Sequence, residues 1–535
     1  MILPRVKHFS EGKGVFRIGT NLSMDTDGQA AAWNLLAQWC GSYAIGVSEG
    51  RDAAVAFRQA DVRWYTVSVT PQKVAVRYKN SAAARDAAAT LVNMAEYRDG
   101  GVCIPCGETE DWPDCEYRGF MWDPARKYDS PERLKLLIRC AARAKYNVMH
   151  LHLSDDMRYA IRSEAVPALN NGEMRQYSVA EMKEIVAYAA SFGIDVLPEV
   201  DLPAHAEAIL KQMPFLHCTQ GGQPIGQWTV CVSEERLYAM LDKLVGELAE
   251  IFPYEWMHMG GDELAFFDFP TWHKNYEWDH CDRCKALAER EGFTKVWDYY
   301  LYYARRVYAI LQKYGKKMVI WNDPLDVSRA VCLPKDIRVQ YWRIAAPGRG
   351  PFEGCTPEKL LEQGFAVVNS DFPNTYADLY LDEEKLLNWH PRALAGGGAP
   401  GQIEGGEICF WDMHAHYEYS AMPSLFLFAD RLWNAAPLKE DADAALARQI
   451  FGLHPENVFG LLGRRIFPLD REERFDLQKI KGSLQEAETM RGRLLWLVRR
   501  GFGEPELIRP YIYILGELIA RGGKSSVAEK IDAPV

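Results

Sequence analysis

Strand, loop and helix alternate repeatedly from Tyr117 to about residue 435, and no other feature of the chain limits its fold as tightly. The strand candidates are YRGFMWD, NVMHLHLSDD, IDVLPEVD, EWMHMGGDE, KMVIWND, IRVQYWR, FAVVNSD and EICFWDM. Amphipathic helices such as PERLKLLIRCAARAKY, VAEMKEIVAYAASFG and KVWDYYLYYARRVYAILQKYG lie between several of them. Eight strands with interleaved helices predict an α/β fold built on a (β/α)8 TIM-like barrel. A doubly wound sheet is the alternative. It would want a Gly-rich phosphate turn after an early strand, and none is present. GGGAPGQIEGG comes late, precedes a strand and reads as a flexible loop.

The chain of 535 residues is too long for one core and agrees with two or three domains. Residues 1–115 read as an N-terminal α+β domain. DGQAAAWNLLAQWC and SAAARDAAATLVNMAEY have helical period, and WYTVSVTPQKVAVRYKN is a hairpin around TPQ. The acidic GETEDWPDCE marks a boundary, and the barrel takes residues 116–435. Residues 436–535 are helical and rich in Arg and Glu, packed on the barrel or on another subunit, which leaves a homo-oligomer open. The basic RGRLLWLVRRG reads as a solvated helix face.

The net charge of -11, with no long basic run, argues against nucleic acid or an acidic membrane surface as partner. No apolar run approaches the ~18 residues of a membrane span. The N-terminus lacks the apolar core of a signal peptide, and the 12 cysteines are scattered. Reduced thiols and a cytoplasmic location are the expectation. CDRC, Cys281 to Cys284 with His280 beside it, has metal-like spacing, but a zinc site needs a matching second pair. CIPC, Cys103 to Cys106, lies in the N-terminal domain, so no metal and no cofactor are expected.

In such a barrel chemistry gathers where strands meet the following loops. The first strand leads to Arg126, the second to Asp155 and Asp156, the third to His205, and the fourth to His258, Asp262 and Glu263. The fifth and sixth supply Trp321 and Trp342, the seventh Tyr376 and Asp378, and the eighth Trp411. Singly, an Asp or Trp at a strand end is more often a cap or core residue, and His205 alone reads as a structural histidine. Their coincidence on one rim suits a polyhydroxylated ligand, with carboxylates and Arg for hydroxyls and indoles for a sugar face.

Adjacent acids such as Asp262 and Glu263 can divide labour when their environments differ. Glycosidic cleavage needs an acid for the leaving oxygen and a nucleophile or base at the anomeric carbon. Sequence neighbours cannot easily flank a sugar at the usual ~5 to 9 Å carboxylate separation. Something else must supply the second function.

Residues 1 to about 435 resemble glycoside hydrolase family 20, the β-N-acetylhexosaminidases. YRGFMWDPARKY is similar to the family's R-G-x-x-x-D-x-x-R, KYNVMHLHLSDD to K-x-N-x-x-H-x-H-x-x-D-D, and HMGGDE to H-x-G-G-D-E. LPEVDLPAHAEA is similar to P-E-x-D-x-P-G-H, with Ala204 replacing the glycine. The resemblance implies that the substrate's own 2-acetamido oxygen is the nucleophile, closing on C1 as an oxazolinium ion. It implies Glu263 as general acid and then base, Asp262 as the residue that orients the acetamido N–H, and Tyr376 as donor to the acetamido oxygen. Tyr380 competes for the last role; Tyr376 is preferred for its spacing from Ser370. Arg126 would grip O3 and O4, and Asp155 with His205 would support Glu263. Trp321, Trp342, Trp389 and Trp411 would wall the pocket, and Asp378 would reach O4 or O6.

The resemblance implies an exo-acting retaining enzyme on oligosaccharides or glycoconjugates with a terminal β-linked N-acetylhexosamine. The family's W-x-E after the eighth strand is here Trp411-Asp412-Met413, which bears on the C4 and C6 preference. Glu404 or Glu407 could fill that space instead. Release of a disaccharide or C6-modified amino sugar, or carbohydrate binding without catalysis, are the alternatives.

Overall fold

The computed structural model describes residues 1–170, 172, 174–264, 277–294, 296–325, 332–342, 357–372, 374–377, 383–392, 403–411, 418–439, 442–453, 458–459, 483–502 and 504–520. Eight parallel strands close into a barrel: β1 (Tyr117–Trp122), β2 (Val148–His152), β3 (Asp195–Glu199), β4 (Trp256–His258), β5 (Lys317–Trp321), β6 (Arg338–Tyr341), β7 (Ala366–Asn369) and β8 (Ile403–Phe410). Each strand pairs with its sequence neighbour, and β8 closes on β1 from Gly405 opposite Tyr117 to Phe410 opposite Trp122. Closure rules out the doubly wound alternative. β2 is buried at every position, as parallel strands covered on both faces must be.

Several strands end earlier than their apolar runs suggest. β4 stops at His258, so the residues from Met259 to Glu263 follow the strand as irregular backbone. β8 begins earlier than EICFWDM implies, at Ile403, and takes in the IEGG that reads as loop. A Cβ on Gly406 would stand 2.6 Å from the Trp389 ring and 2.8 Å from the Asn369 carbonyl, so packing excludes a side chain there.

The outer helices start where local chemistry lets them. Ser130 caps Pro131–Arg143, with proline in the first turn. Ser178 and Glu181 form a capping box on Val179–Ser191. The N-terminal region is a mixed eight-stranded sheet that includes the Tyr65–Val69 and Val74–Tyr78 hairpin. Its helices Ala30–Gly41 and Ser81–Met94 pack against those two barrel helices. Helices Leu484–Arg500 and Pro505–Ala520 pack on each other, and Glu504 between them accepts from the Arg139 guanidinium at 2.7 and 2.9 Å, against the barrel. Among the described residues no helix is long and apolar enough to cross a membrane.

Lys145 joins the N-terminal region to the barrel and its last helix. Its fully buried ammonium donates to Asp111 Oδ2 and Tyr65 Oη at 2.9 Å each and lies 3.9 Å from the Trp433 ring centroid. Burial lowers its pKa, and the Asp111 charge opposes that. Removing one partner of a buried pair leaves an uncompensated charge. Lys145→Ala is therefore expected to destabilise the protein by about 3 to 5 kcal/mol in denaturant titration, and Lys145→Met with Asp111→Asn, which keeps an acceptor for the Trp433 indole, by clearly less. Equal losses in the two proteins would contradict this account of the seam.

Candidate active site

A chain of alternating carboxylates and imidazoles runs through the barrel interior to its mouth. Glu407 on β8 contacts His150 Nδ1 at 2.8 Å, and His150 Nε2 lies 3.2 Å from Glu199 on β3. Glu199 also bonds His152 Nδ1, and His152 Nε2 meets Asp155 Oδ2 at 2.7 Å. Asp155 Oδ1 lies 3.4 Å from His205 Nδ1. His205 Nε2 then stands 3.7 Å from Asp262 Oδ2 and 3.6 Å from Glu263 Oε2. Strand alternation aims His150 and His152 at the interior, and parallel register sets His152 beside Glu199.

The alternation keeps the chain ionised. Burial pulls the His150 pKa down, but Glu407 and Glu199 outweigh it and raise it to about 9. The same opposition lifts His152 well above the ordinary imidazole value. Burial disfavours the ionised forms of Asp155 and Glu199, yet the imidazoles beside them hold both well below the usual carboxylate range. Asp262 differs. Burial, then the Asp201 carboxylate, push it well above that range, against the pull of His205.

Two glycines explain how the acids reach the mouth. Gly260 and Gly261 take φ of 59° and 101°, which side chains rarely adopt. A Cβ on Gly260 would fall 1.8 Å from Asp201 Oδ1, and one on Gly261 2.6 Å from the Tyr300 hydroxyl. Gly261 N–H donates to Asp201 Oδ1 at 3.0 Å. Glu263 itself has φ of 50° and His205 49°, strain of the kind that surrounding structure must hold in place. The Glu263 backbone is gripped on both sides: its N–H donates to Asp323 Oδ2 at 2.7 Å, and its carbonyl accepts from the Trp228 indole at 2.9 Å. The Trp228 ring also lies 4.5 Å from His205.

Asp262 and Glu263 thus converge on one imidazole nitrogen. The Glu263 side chain is 40% exposed and that of Asp262 12%. Asp262 Oδ1 is buried with no hydrogen-bond partner among the described residues, and so is the Trp411 indole nitrogen. Tyr376, Trp342 and Trp411 form an aromatic group. Tyr376 stacks on Trp342 at 6.1 Å and lies 6.1 Å from Trp411, and the Trp342 indole donates to Asp323 Oδ1 at 3.0 Å. Tyr376 reaches this position because its segment bridges onto β8 at Cys409. Arg126 donates to Asp123 at 2.9 Å, pairs with Asp155 at 2.7 Å and lies 5.3 Å from the Trp411 ring centroid.

Four expectations for the rim change. Trp321 is fully buried, its indole bonded to Glu199 at 2.7 Å, so it backs the aromatic group from beneath instead of lining an open wall. Trp389 is not brought to that group. Its ring packs on Phe428 and its indole donates to Asp371, behind β8, because Gly406 points outward where Glu407 and Cys409 point inward. His258 is not on the rim but in the interior, accepting from Gly260 N–H at 3.0 Å, and burial lowers its pKa. Glu404 and Glu407 do not fill the sugar-binding place expected of an acid after the eighth strand. Glu407 is bonded to His150, to the Tyr117 hydroxyl at 2.6 Å and to Gln340 at 2.7 Å, while Glu404 pairs with Arg338 at 2.6 Å. Asp378, Tyr380, Asp412 and Met413 lie outside the described residues.

Sequence reading missed Asp201, Asp323 and Trp228, which hold the acids' backbone. WND after β5 was a usable signal for Asp323, whereas Trp228 sits on a hairpin with no motif. Acids and imidazoles of the buried chain also cluster in threes, such as His150, Glu199 and His258, through the contacts just described. The expectation that Cys281 and Cys284 lack a second pair is overturned: Cys218 and Cys231 converge on them.

Comparison with known proteins agrees with this architecture. The family described as glycosyl hydrolase family 20, catalytic domain, matches residues 115–436. The chain belongs to glycosyl hydrolase family 20. It is 27% identical over 424 residues to a beta-hexosaminidase of Vibrio furnissii, covering 72% of this chain and 66% of that protein. It is 26% identical to a beta-hexosaminidase of Porphyromonas gingivalis, covering 64% of this chain and 46% of that one. The chain therefore spans about two thirds of the first relative's length and under half of the second's. In fold it is similar to a GH20 exo beta-N-acetylglucosaminidase from Vibrio harveyi, with TM-score 0.71, 23% identity and coverage of 84% of this chain and 76% of that one. It is also similar to Flavobacterium johnsoniae chitobiase, with TM-score 0.70, 19% identity and coverage of 97% and 92%.

The buried chain sets a pH dependence. His150 is raised from 6.5 to about 9, so its stabilising contribution is full below about 6.5 and lost as pH rises through about 9. Glu407→Gln removes one of the two carboxylates behind that rise and is expected to lose up to roughly 3 kcal/mol of stability near neutral pH, with the gap to the wild type closing towards pH ~10 in paired denaturation curves. A gap independent of pH would refute a charged His150. Trp228→Phe keeps a ring beside His205 but removes the donor to Glu263. One lost hydrogen bond of about 1 kcal/mol should lower kcat by ~5- to 10-fold in glycoside hydrolysis, with KM nearly unchanged.

Proposed function

We propose that this chain is an exo-acting retaining β-N-acetylhexosaminidase that removes terminal β-linked GlcNAc or GalNAc with the substrate's acetamido group as nucleophile. The observation that carries the reading is the convergence of Asp262 and Glu263 on one nitrogen of His205. Two carboxylates on the same side of a site cannot act as acid and nucleophile on opposite faces of a sugar. The unpartnered, buried Asp262 Oδ1 is an acceptor suited to an amide N–H. Family membership supports the same assignment.

In this mechanism the more exposed Glu263 protonates the leaving oxygen while the acetamido carbonyl oxygen attacks C1. The C1–O bond to the leaving group breaks and an oxazolinium ion forms. Asp262 accepts the acetamido N–H, and the positive charge that develops there favours its ionised form over the proton that burial favours. Tyr376 donates to the acetamido oxygen, and Trp342 and Trp411 flank it. Glu263, now a base, takes a proton from water, which attacks C1 and restores the acetamido group. C1 is inverted twice, so configuration is retained. Arg126 supplies donors to sugar hydroxyls near Trp411.

Glu263→Gln is expected to lose ~10²- to 10⁴-fold in kcat on glycosides with poor leaving groups, and less where the leaving group needs no protonation. β-Glucosides without the acetamido group should react at least ~10³-fold more slowly, about 4 kcal/mol of barrier. A thiazoline mimic of the cyclised intermediate should inhibit. Capture of a sugar ester on any Asp or Glu refutes the mechanism. With Glu404 paired to Arg338 at the start of β8 and Glu407 committed inside the barrel, β-GlcNAc and β-GalNAc glycosides should differ by no more than ~10-fold in kcat/KM. A ratio above ~100-fold would mean that another acid reads C4.

A further inference from the structure

Cys218, Cys231, Cys281 and Cys284 come from three chain segments, and all four are buried and free. Cys218 lies on the strand His217–Gln220 of a hairpin that follows β3, and Cys231 directly follows its second strand, Gln223–Val230. Cys281 caps the helix Asp282–Glu291, and Cys284 lies in its first turn. The four sulfurs all lie within 4.8 Å of one another. Cys231 Sγ is 3.7 Å from Cys281 Sγ and 3.6 Å from Cys284 Sγ. A zinc ion holding four thiolates at about 2.3 Å in a tetrahedron puts neighbouring sulfurs about 3.8 Å apart. A disulfide needs about 2.05 Å, and none of these contacts approaches it.

The surroundings suit thiolates. Thr219 N–H points at Cys281 Sγ from 3.4 Å, and the Ser233 hydroxyl lies 3.1 Å from Cys231 Sγ and 3.4 Å from Cys284 Sγ. The Arg283 guanidinium, between two of the cysteines in sequence, donates to the His217 carbonyl beside Cys218. His280 is exposed, outside the group. We propose that these four cysteines form a structural zinc site that clips the hairpin after β3 to the helix Asp282–Glu291.

The clip has a consequence for the acids. Trp228 and Thr229 lie on the hairpin between Cys218 and Cys231. Their backbone N–H groups donate to Glu277, four residues before Cys281, at 3.1 and 2.8 Å. A zinc ion there would hold the base of the hairpin whose Trp228 grips the Glu263 carbonyl and packs on His205. This is a positioning role. With four protein ligands the ion keeps no open coordination position for chemistry.

The test is metal analysis of the full-length protein purified without chelator from zinc-containing medium. The expected result is about one zinc per chain, with an X-ray absorption spectrum of four sulfurs at about 2.3 Å. Mercurial titration of the wild type should release that zinc, which keeps the test independent of whether variants fold. Cys281→Ser with Cys284→Ser should lose the metal and lower both Tm and kcat, while Cys103→Ser should keep it. Folded protein without zinc, a nitrogen or oxygen shell, or a disulfide among the four cysteines in intact-mass analysis would each overturn the proposal.

Discussion

The site depends on pairing buried carboxylates with buried imidazoles. An ionised group moved into a barrel interior loses several kcal/mol of hydration unless a partner of opposite charge and satisfied hydrogen bonds replace it. Here Glu407, Glu199 and Asp155 alternate with His150, His152 and His205. Each imidazole sits between two acids, and each acid is held ionised by its neighbours. The last imidazole reaches Asp262 and Glu263. A barrel core filled with aliphatic side chains would pack as well, but it would leave His205 without the carboxylate that orients it.

Strain at the mouth follows from the same arrangement. Asp262 and Glu263 must leave β4 sharply to meet His205, and the chain does so through Gly260 and Gly261 at positive φ. Asp201 fills the space a Cβ on Gly260 would need and accepts from Gly261. Asp323 and Trp228, on separate loops, then hold the Glu263 backbone in a conformation it would rarely keep alone. Hairpin, glycine turn and strand-five loop form one mechanical unit around the two acids, and the four-cysteine cluster lies at the base of that hairpin.

Much of this was legible in order along the chain. Strand periodicity and interleaved helices foretold the barrel, because parallel strands buried on both faces read as apolar runs. HLHLSDD and HMGGDE identified His205's partners and the two acids, since those motifs are compact and their spacing follows strand alternation. Strand ends were less legible: β4 gives way to turn directly after His258 although its sequence stays apolar for another residue, and IEGG belongs to β8 because its glycines allow close packing against Tyr117 and Trp389. Trp389 and Trp321 read as pocket walls by residue type, but Trp321 ends a strand and faces Glu199 inside the barrel, while Trp389 follows a helix and packs outside β8 on Phe428.

The sequence by itself determined the class of fold, the position of Asp262 and Glu263 at one strand end, and the rim on which chemistry collects. These follow from local periodicity and short motifs, whose residues are neighbours whatever the rest of the chain does. Only the tertiary structure decided that Glu407 lies deep in the barrel, that Trp228 holds Glu263 from a hairpin about thirty-five residues away in sequence, and that Cys218 and Cys231 complete the pair at Cys281 and Cys284. Each of those contacts joins segments far apart in sequence, and the packing of strands, hairpin and helices on one another, not local preference, sets the distance between them.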